Sequence, residues 1–467
     1  MRSRWNPLLF TDSYKMSHFR QYPSGTEYVY SYFESRGSDP TFGFTETVFF
    51  GLQHLLDGLG GTYFTAADID DAERLCRLHF GNDRSFNRAG WEHILSVHGG
   101  RLPVRIRAVP EGTVVPTHNC LMTIENTDPR CYWLTNWLET QLVQVWYPTT
   151  VATQSREMKK TLLASLRRSG DPATIDFRLH DFGFRGVSSL ETAALGCAAH
   201  LVNFSGTDTL PGLELLARTY GEPCGGFSIP ASEHSTITSW GEAHELDAMR
   251  NMLTQYPDGM VACVSDSFDI FRACAEYWGG ALREHVLQRN GTLVIRPDSG
   301  DPATVICRVL EILGQRFPTS VNAKGFKVLD PHVRLIQGDG IDFHSLGKIL
   351  DAVIAAGWSA DNLVFGSGGG LLQKVNRDTL KFAFKCSSVV VSGVARDVFK
   401  RPVTDHGKRS KSGRFKLVCD RGAESNAFRT VPEPAPGEDV LETVFENGEI
   451  VKRTTFEEVR RRACVGL

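Results

Sequence analysis

The sequence predicts an α/β protein: an incomplete, TIM-like β/α barrel of about seven parallel strands, with a second α+β domain built from both chain ends. Three observations carry that expectation. Apolar, strand-like runs begin near Ile175, His200, Gly226, Val261, Leu293, Val333 and Leu363. Each ends in polar residues or glycine, and helical stretches follow most of them. The regularity starts near Thr174 and stops after Lys385, so the flanks are organised differently. On this pattern residues 131–385 form the barrel, and residues 1–130 with 386–467 form the α+β domain. Periodicity alone does not show closure, and an open doubly wound sheet shares the pattern.

The elements follow in order. Val104 to Val109 alternates with period two and stops at Pro110, which reads as a half-buried strand. Leu134, Trp137, Leu138, Leu142 and Val145 share one helical face, and Pro148 is expected to close that helix. A second helix is expected from about Thr153 to Arg168, where Ser169-Gly170 supplies a stop. Ser188-Ser189-Leu190-Glu191 has capping-box spacing at the start of a barrel helix. The tail, with a proline-rich connection from Val431 to Gly437, is expected to pair with the amino-terminal region.

Composition excludes several function classes. In 467 residues, 51 Lys+Arg oppose 54 Asp+Glu, a formal charge of −3. With 41% hydrophobic residues, that balance rules out wholesale disorder and argues against a dedicated nucleic-acid binder. No stretch approaches the ~20 apolar residues of a membrane span. The opening MRSRWNPLLFTDSYK lacks the apolar core of a secretory signal. Eleven cysteines without a CxxC pair suit reduced thiols, and hence a cytoplasmic protein.

In parallel β/α folds, chemistry sits beyond the carboxyl ends of the strands. The first end carries His180-Asp181-Phe182-Gly183-Phe184-Arg185-Gly186, and the second Gly206-Thr207-Asp208. The third carries Ser228 and then Ser232-Glu233-His234-Ser235, the fourth Ser265-Asp266-Ser267. Arg296-Pro297-Asp298-Ser299 follows on the fifth, Gln337-Gly338-Asp339-Gly340 on the sixth and Gly366-Ser367-Gly368-Gly369-Gly370 on the seventh. The last two clusters suit phosphate, which late barrel strands bind through backbone N–H groups. Leu371 stands where GxGxxG needs its third glycine, no GxxxxGK[ST] occurs, and Ala248 denies His244-Glu245 the zincin pattern.

Asp266, Asp298 and Asp339 end three successive strands, and Mg²⁺ with substrate phosphates would reconcile their charges. The alternative is that each simply caps the next helix. Phe182 and Arg185 could stack on a planar ligand and hold its phosphate or carbonyl, or Phe182 could pack on the core. His234, between Glu233 and Ser235, reads as a structural or a catalytic histidine. The basic run Lys408 to Lys416 is a solvated loop, or closes over a polyphosphate with Lys385, Lys400 and Arg401.

Longer motifs carry a resemblance. TDSYKMSHFRQYP (Thr11–Pro23), HDFGFRGVSS (His180–Ser189), NFSGTDT (Asn203–Thr209) and SIPASEHSTIT (Ser228–Thr238) resemble the nicotinamide phosphoribosyltransferases. So do VSDSFDI (Val264–Ile270), VIRPDSGDP (Val294–Pro302), IQGDG (Ile336–Gly340) and FGSGGGLLQK (Phe365–Lys374). The resemblance implies a homodimeric type II phosphoribosyltransferase with shared active sites, joining nicotinamide to phosphoribosyl pyrophosphate (PRPP). It implies that Phe182 and the partner's Tyr14 sandwich the pyridine ring, that Asp208 accepts from the carboxamide NH₂, and that Arg296 addresses its oxygen. Arg185 would face the base or phosphate, while Asp298 and Asp339 would face ribose and Mg²⁺. Gly338, Gly368 and Gly369 would offer backbone to the 5′-phosphate, with Arg377 and Lys385 adding charge across the dimer. Asp12, Ser228 and Lys400 complete the implied substrate contacts. His234 would be phosphorylated by ATP as a coupled co-substrate, with Asp266, Arg296 and Asp298 as its catalytic companions.

Ala262 departs from the resemblance, standing in for a serine of the base pocket; the lost hydrogen bond is worth ~0.5–1.5 kcal/mol. A nicotinate phosphoribosyltransferase is the nearest alternative, and Asp208 opposes it because a carboxylate repels nicotinate. A non-catalytic ligand-binding or signalling protein on the same fold would have lost charged site residues, yet Asp208, His234, Arg296, Asp298 and Asp339 all remain.

Overall fold

The barrel strands form one parallel sheet in the order Gly206–Thr207, Leu179–Asp181, Leu363–Ser367, Val333–Gln337, Leu293–Arg296, Val261–Val264. These positions are in a computed structural model that describes residues 5–404, 409–420 and 427–467. All pairings in this sheet are parallel, as strand–helix–strand connections require.

The third expected strand is present only as an extended segment with isolated pairs. Phe227 bridges Gly206 on one edge of the sheet, and Ala231 bridges Ala262 on the other. Phe227 N–H donates to Ser205 (2.8 Å) and Ala262 N–H to Pro230 (2.9 Å). Pro230 has no N–H to return, which keeps this segment short of a full ladder. Six strands and this link bring the sheet round on itself. Ala262, Val294 and Ile336 form an apolar cluster on which Phe182, Ile229 and Val364 pack.

The chain divides into two compact units: residues 1–153, 219–221 and 376–467, and residues 154–218 and 222–375. These limits differ from the expected 130 and 386 because side chains assign the intervening turns. Thr149 and Thr153 accept from Phe50 N (3.3 Å) and Val48 N (2.9 Å) in the first unit. Gln154 donates to Gly370 O (2.9 Å) in the second. At the other limit, Asp39 N–H donates to Thr379 O (2.9 Å) in the first unit.

The first unit is built on a seven-stranded antiparallel sheet that mixes both chain ends. Thr26–Ser35 pairs with Phe382–Val391 and with Cys120–Asn126, and Val104–Ala108 pairs with Glu442–Glu446. The tail therefore pairs with the amino-terminal region. Val29, Val389 and Val391 pack together on this sheet, and Phe33 stacks on Phe382 at 5.0 Å.

Two local expectations change. Pro148 does not end the Leu134–Leu142 helix; it lies in the first turn of the next one, Trp146–Ser169, where its missing N–H costs nothing. The cap of the Leu190–Leu201 helix is Ser189, whose hydroxyl accepts from Thr192 N (3.1 Å), one residue later than expected. Among the described residues, no helix is long and apolar enough to cross a membrane.

Candidate active site

Phe182, Arg185, Asp208 and Arg296 line one cleft of about 580 Å³ in the second unit. The aromatic platform rests on glycine. A Cβ at Gly366 would stand 1.9 Å from Phe182 Cε2, so only glycine lets the ring lie on that strand. Beside the ring, the Arg296 guanidinium sits 6.0 Å from its centroid, and His180 packs at 6.2 Å. Burial lowers the pKa of His180, which keeps it neutral at pH 7.

Asp208 is exposed to the cleft, and Ser228 donates to its Oδ1 at 2.5 Å. One carboxylate oxygen is thereby held, leaving Oδ2 for a ligand. Arg296 makes a two-point pair with Asp298, Nε to Oδ1 (3.1 Å) and Nη2 to Oδ2 (2.8 Å). From there the network runs to Asp266, whose Oδ2 accepts from Asp298 N (3.1 Å) and Ser299 Oγ (2.6 Å). Asp266 Oδ1 meets His234 Nε2 at 3.0 Å. The Asp266 side chain is only 3% exposed and that of His234 is 47% exposed, so a buried acceptor orients an accessible imidazole.

The helix-cap reading of the three strand-end carboxylates does not hold. Asp269, Asp301 and Asp342, each three residues further on, cap the following helices through their side chains. Asp266, Asp298 and Asp339 are not the residues that cap these helices. Gly338 abuts the cleft: a Cβ there would lie 3.5 Å from both Arg296 Nε and Phe182 Cε2. Asp339 follows, exposed, at the end of the Val333–Gln337 strand. Gly368 precedes the short Gly369–Leu372 helix, and a Cβ at Gly369 would meet no atom within 4 Å.

The remaining expected residues belong to the first unit. Asp12 Oδ2 accepts from Thr140 Oγ1 (2.7 Å), and Tyr14, 59% exposed, sits edge-on to His18 at 4.9 Å. Burial lowers the pKa of Lys385; Glu139 opposes that shift, and Arg36, Lys400 and Arg377 add repulsion. The basic run is otherwise engaged: Lys411 pairs with Glu34, and Arg414 with Glu125 (2.7 Å) and Glu433 (2.9 Å). Lys408 lies outside the described residues.

One organising residue escaped the reading of the sequence. Asp181 is fully buried, accepts from Gly183 N (2.7 Å) and Thr207 Oγ1 (3.1 Å), and its carbonyl accepts from Asp208 N (3.0 Å). It ties the Phe182 loop to the Asp208 loop. Burial raises its pKa, against the pull of those hydrogen bonds. The signal was its place directly before Phe182, but its burial is not written in the motif.

Residues 177–449 match the nicotinate phosphoribosyltransferase (NAPRTase) family, and residues 6–106 match the nicotinamide phosphoribosyltransferase N-terminal domain. A nicotinamide phosphoribosyltransferase from Xanthomonas campestris pv. campestris is 53% identical over 98% of both chains. One from Acinetobacter baylyi is 34% identical over 99% of this chain and 98% of its own. Two solved structures share the fold. They are a nicotinate-nucleotide pyrophosphorylase from Pyrococcus furiosus (TM-score 0.63, 17% identity, 99% of this chain and 97% of that one) and human nicotinic acid phosphoribosyltransferase (TM-score 0.57, 18% identity, 97% and 93%). The chain belongs to the nicotinate phosphoribosyltransferase family, and within it to the nicotinamide phosphoribosyltransferases.

Proposed function

We propose that this enzyme transfers phosphoribosyl from PRPP to nicotinamide, giving nicotinamide mononucleotide and pyrophosphate, with Phe182, Asp208 and Arg296 selecting the base. The observation that carries the reading is a flat aromatic ring with a carboxylate and a guanidinium lining the same cleft. A carboxamide presents an NH₂ donor and a carbonyl acceptor in one plane. Asp208 Oδ2 takes the donor, and Arg296, with Nη1 outside its pair to Asp298, serves the acceptor. Arg185 supports the phosphate side of the base. Ala262 lies in the apolar wall behind Phe182 and offers no hydroxyl there.

Departure of pyrophosphate leaves an oxocarbenium-like ribosyl and a growing anion. Cations stabilise that anion while stacking holds the neutral pyridine nitrogen in line, so no strong general base is needed. Carboxylate oxygens at neighbouring strand ends fit Mg²⁺ bound mostly through substrate phosphates and water. Asp339 is exposed, and Asp298 keeps lone pairs beyond its two bonds to Arg296, so these two would hold the ion. When bound, Mg²⁺ supplies charge neutralisation at the pyrophosphate. Gly338, Gly368 and Gly369 support the 5′-phosphate through backbone.

His234 is the proposed phosphate acceptor for ATP. With Nε2–H donating to Asp266, Nδ1 carries the free lone pair on an exposed ring. A second copy of the chain is proposed to bring Tyr14, Asp12, Arg377, Lys385 and Lys400 to the substrate; the exposed Tyr14 ring and the repelling cations around Lys385 support that role. A cytoplasmic location is supported by eleven cysteines without a disulfide.

The test is a base-specificity assay with PRPP and Mg²⁺, run with and without ATP. Nicotinamide should be preferred to nicotinate by orders of magnitude, and equal turnover would overturn the assignment. For the coupling, radiolabelled ATP should leave acid-labile phosphate on the protein, absent in His234→Ala. Full ATP stimulation of that variant would reject His234 as acceptor.

A further inference from the structure

His93, His98 and Asp128 converge in the first unit, far along the sequence from every residue given a role above. His93 lies within the Arg88–His98 helix and His98 is its last residue. Five residues on a helix turn through about 500°, so two such side chains ordinarily diverge. Here Gly99 and Gly100, both at positive φ, turn the chain away, and the rings meet edge to face at 5.7 Å. Asp128 arrives from the segment after the Cys120–Asn126 strand.

Both Nε2 atoms stand 2.7 Å from the same carboxylate oxygen, Asp128 Oδ2. The other oxygen is already committed, accepting from Arg130 N at 2.8 Å, and Asn126 Nδ2 holds the Asp128 carbonyl at 2.8 Å. The carboxylate is thus fixed from behind, and one oxygen is aimed at two imidazoles. The His93 and Asp128 side chains are 8% and 14% exposed, while His98, at 25%, forms the open side.

We propose that His93, His98 and Asp128 bind a divalent transition ion, of which Zn²⁺ is the best fit, with water as the fourth ligand. The three ligand atoms already lie within 4.8 Å of one another. Tetrahedral bonds of about 2.0–2.1 Å place ligand atoms about 3.3 Å apart. Opening each N···O separation by about 0.6 Å, through small rotations of the partly exposed His98 ring and of the Asp128 carboxylate against the buried His93, admits the ion. Two imidazole nitrogens and one carboxylate oxygen suit Zn²⁺ or its neighbours and do not suit Mg²⁺, which prefers oxygen alone. The site is therefore distinct from the ion that accompanies PRPP. Its effect is a clasp between the end of one helix and the turn at Pro129–Cys131.

The test uses the full chain, stripped with EDTA and exchanged into metal-free buffer. Titrated Co²⁺ should give the visible bands of a four-coordinate site, saturating at one ion per chain, and Zn²⁺ should abolish them. Zinc should also raise the unfolding temperature by several degrees at about 100-fold excess over its dissociation constant. His98→Ala and Asp128→Asn should each weaken binding by more than about tenfold and remove the thermal shift. His98 is the least buried of the three, so its variant keeps the test valid should Asp128→Asn unfold. No saturable bands on the wild type, or displacement of Co²⁺ by millimolar Mg²⁺, would overturn the proposal. Unchanged binding in both variants would do the same.

Discussion

At Asp208 a single carboxylate lines the cleft, and Ser228 donates to one of its two oxygens. Replacing it with Asn keeps the shape but removes the charge that repels nicotinate. Asp208→Asn is expected to reduce the nicotinamide-over-nicotinate ratio of kcat/KM by at least about tenfold, because unpaired like charge costs several kcal/mol. The check is the ratio of the two bases at fixed PRPP. Gly366 makes a second demand at the same scale. In Gly366→Ala the new methyl would meet Phe182 Cε2 at 1.9 Å, so the platform must tilt. Loss of stacking worth about 1 kcal/mol should raise the KM for nicotinamide roughly fivefold to tenfold, read from initial rates. Phe182, Asp208 and Arg296 were legible in the sequence because strand ends and long motifs announce them. Asp181 was not, since what distinguishes it from Asp208 is zero exposure, a property of the packed sheet.

At the level of elements, the carboxylates sort themselves by three-residue spacing. Asp266 and Asp298 share the network that reaches His234 and Arg296, while Asp269, Asp301 and Asp342 start the helices. Asp342 accepts from both His344 N and Ser345 N at 3.0 Å, and Ser345 Oγ in return accepts from Asp342 N (2.9 Å). Asp342→Ala should cost about 1 kcal/mol of stability, measured by urea unfolding. Four strand starts, Val261, Leu293, Val333 and Leu363, were legible from apolar runs. Two were misplaced: Ile175 lies in the short 3-10 turn Pro172–Phe177 and His200 in the Leu190–Leu201 helix, the strands beginning at Leu179 and Gly206. The run near Gly226 did not show that it lacked a ladder. Nor did Pro148 declare its side: the same residue stops one helix or opens the next, and the turn before it decides.

Across the whole molecule, acid stability follows from a histidine remote from chemistry. His200 is fully buried, with Nδ1 3.0 Å from Ser155 Oγ and Nε2 3.2 Å from Leu179 O. Burial is the main cause that lowers its pKa from 6.5 to about 3. Between those values the unfolded chain binds a proton that the folded chain refuses. Stability is therefore untouched above the upper value and falls with falling pH across that window, by up to about 1.4 kcal/mol per pH unit. His200→Gln should flatten that slope when unfolding free energies at pH 5 and pH 7 are compared. Reductant, by contrast, should leave the melting temperature unchanged, because none of the eleven cysteines is bridged. The two-ended sheet of the first unit was only an expectation until the Phe382–Val391 strand was placed against Thr26–Ser35, because long-range pairing leaves no local periodicity.

The link at residues 227–231 has a consequence for how the ring gives way. Elsewhere each junction between parallel strands is a ladder, but here isolated bridges make the closure. Amide exchange in this part of the chain should begin at that seam, where few bonds must break to open it. Ser228, the residue that holds Asp208, sits within the seam. Loosening would therefore reach substrate choice before it reached the fold, and the enzyme would lose its discrimination while still compact.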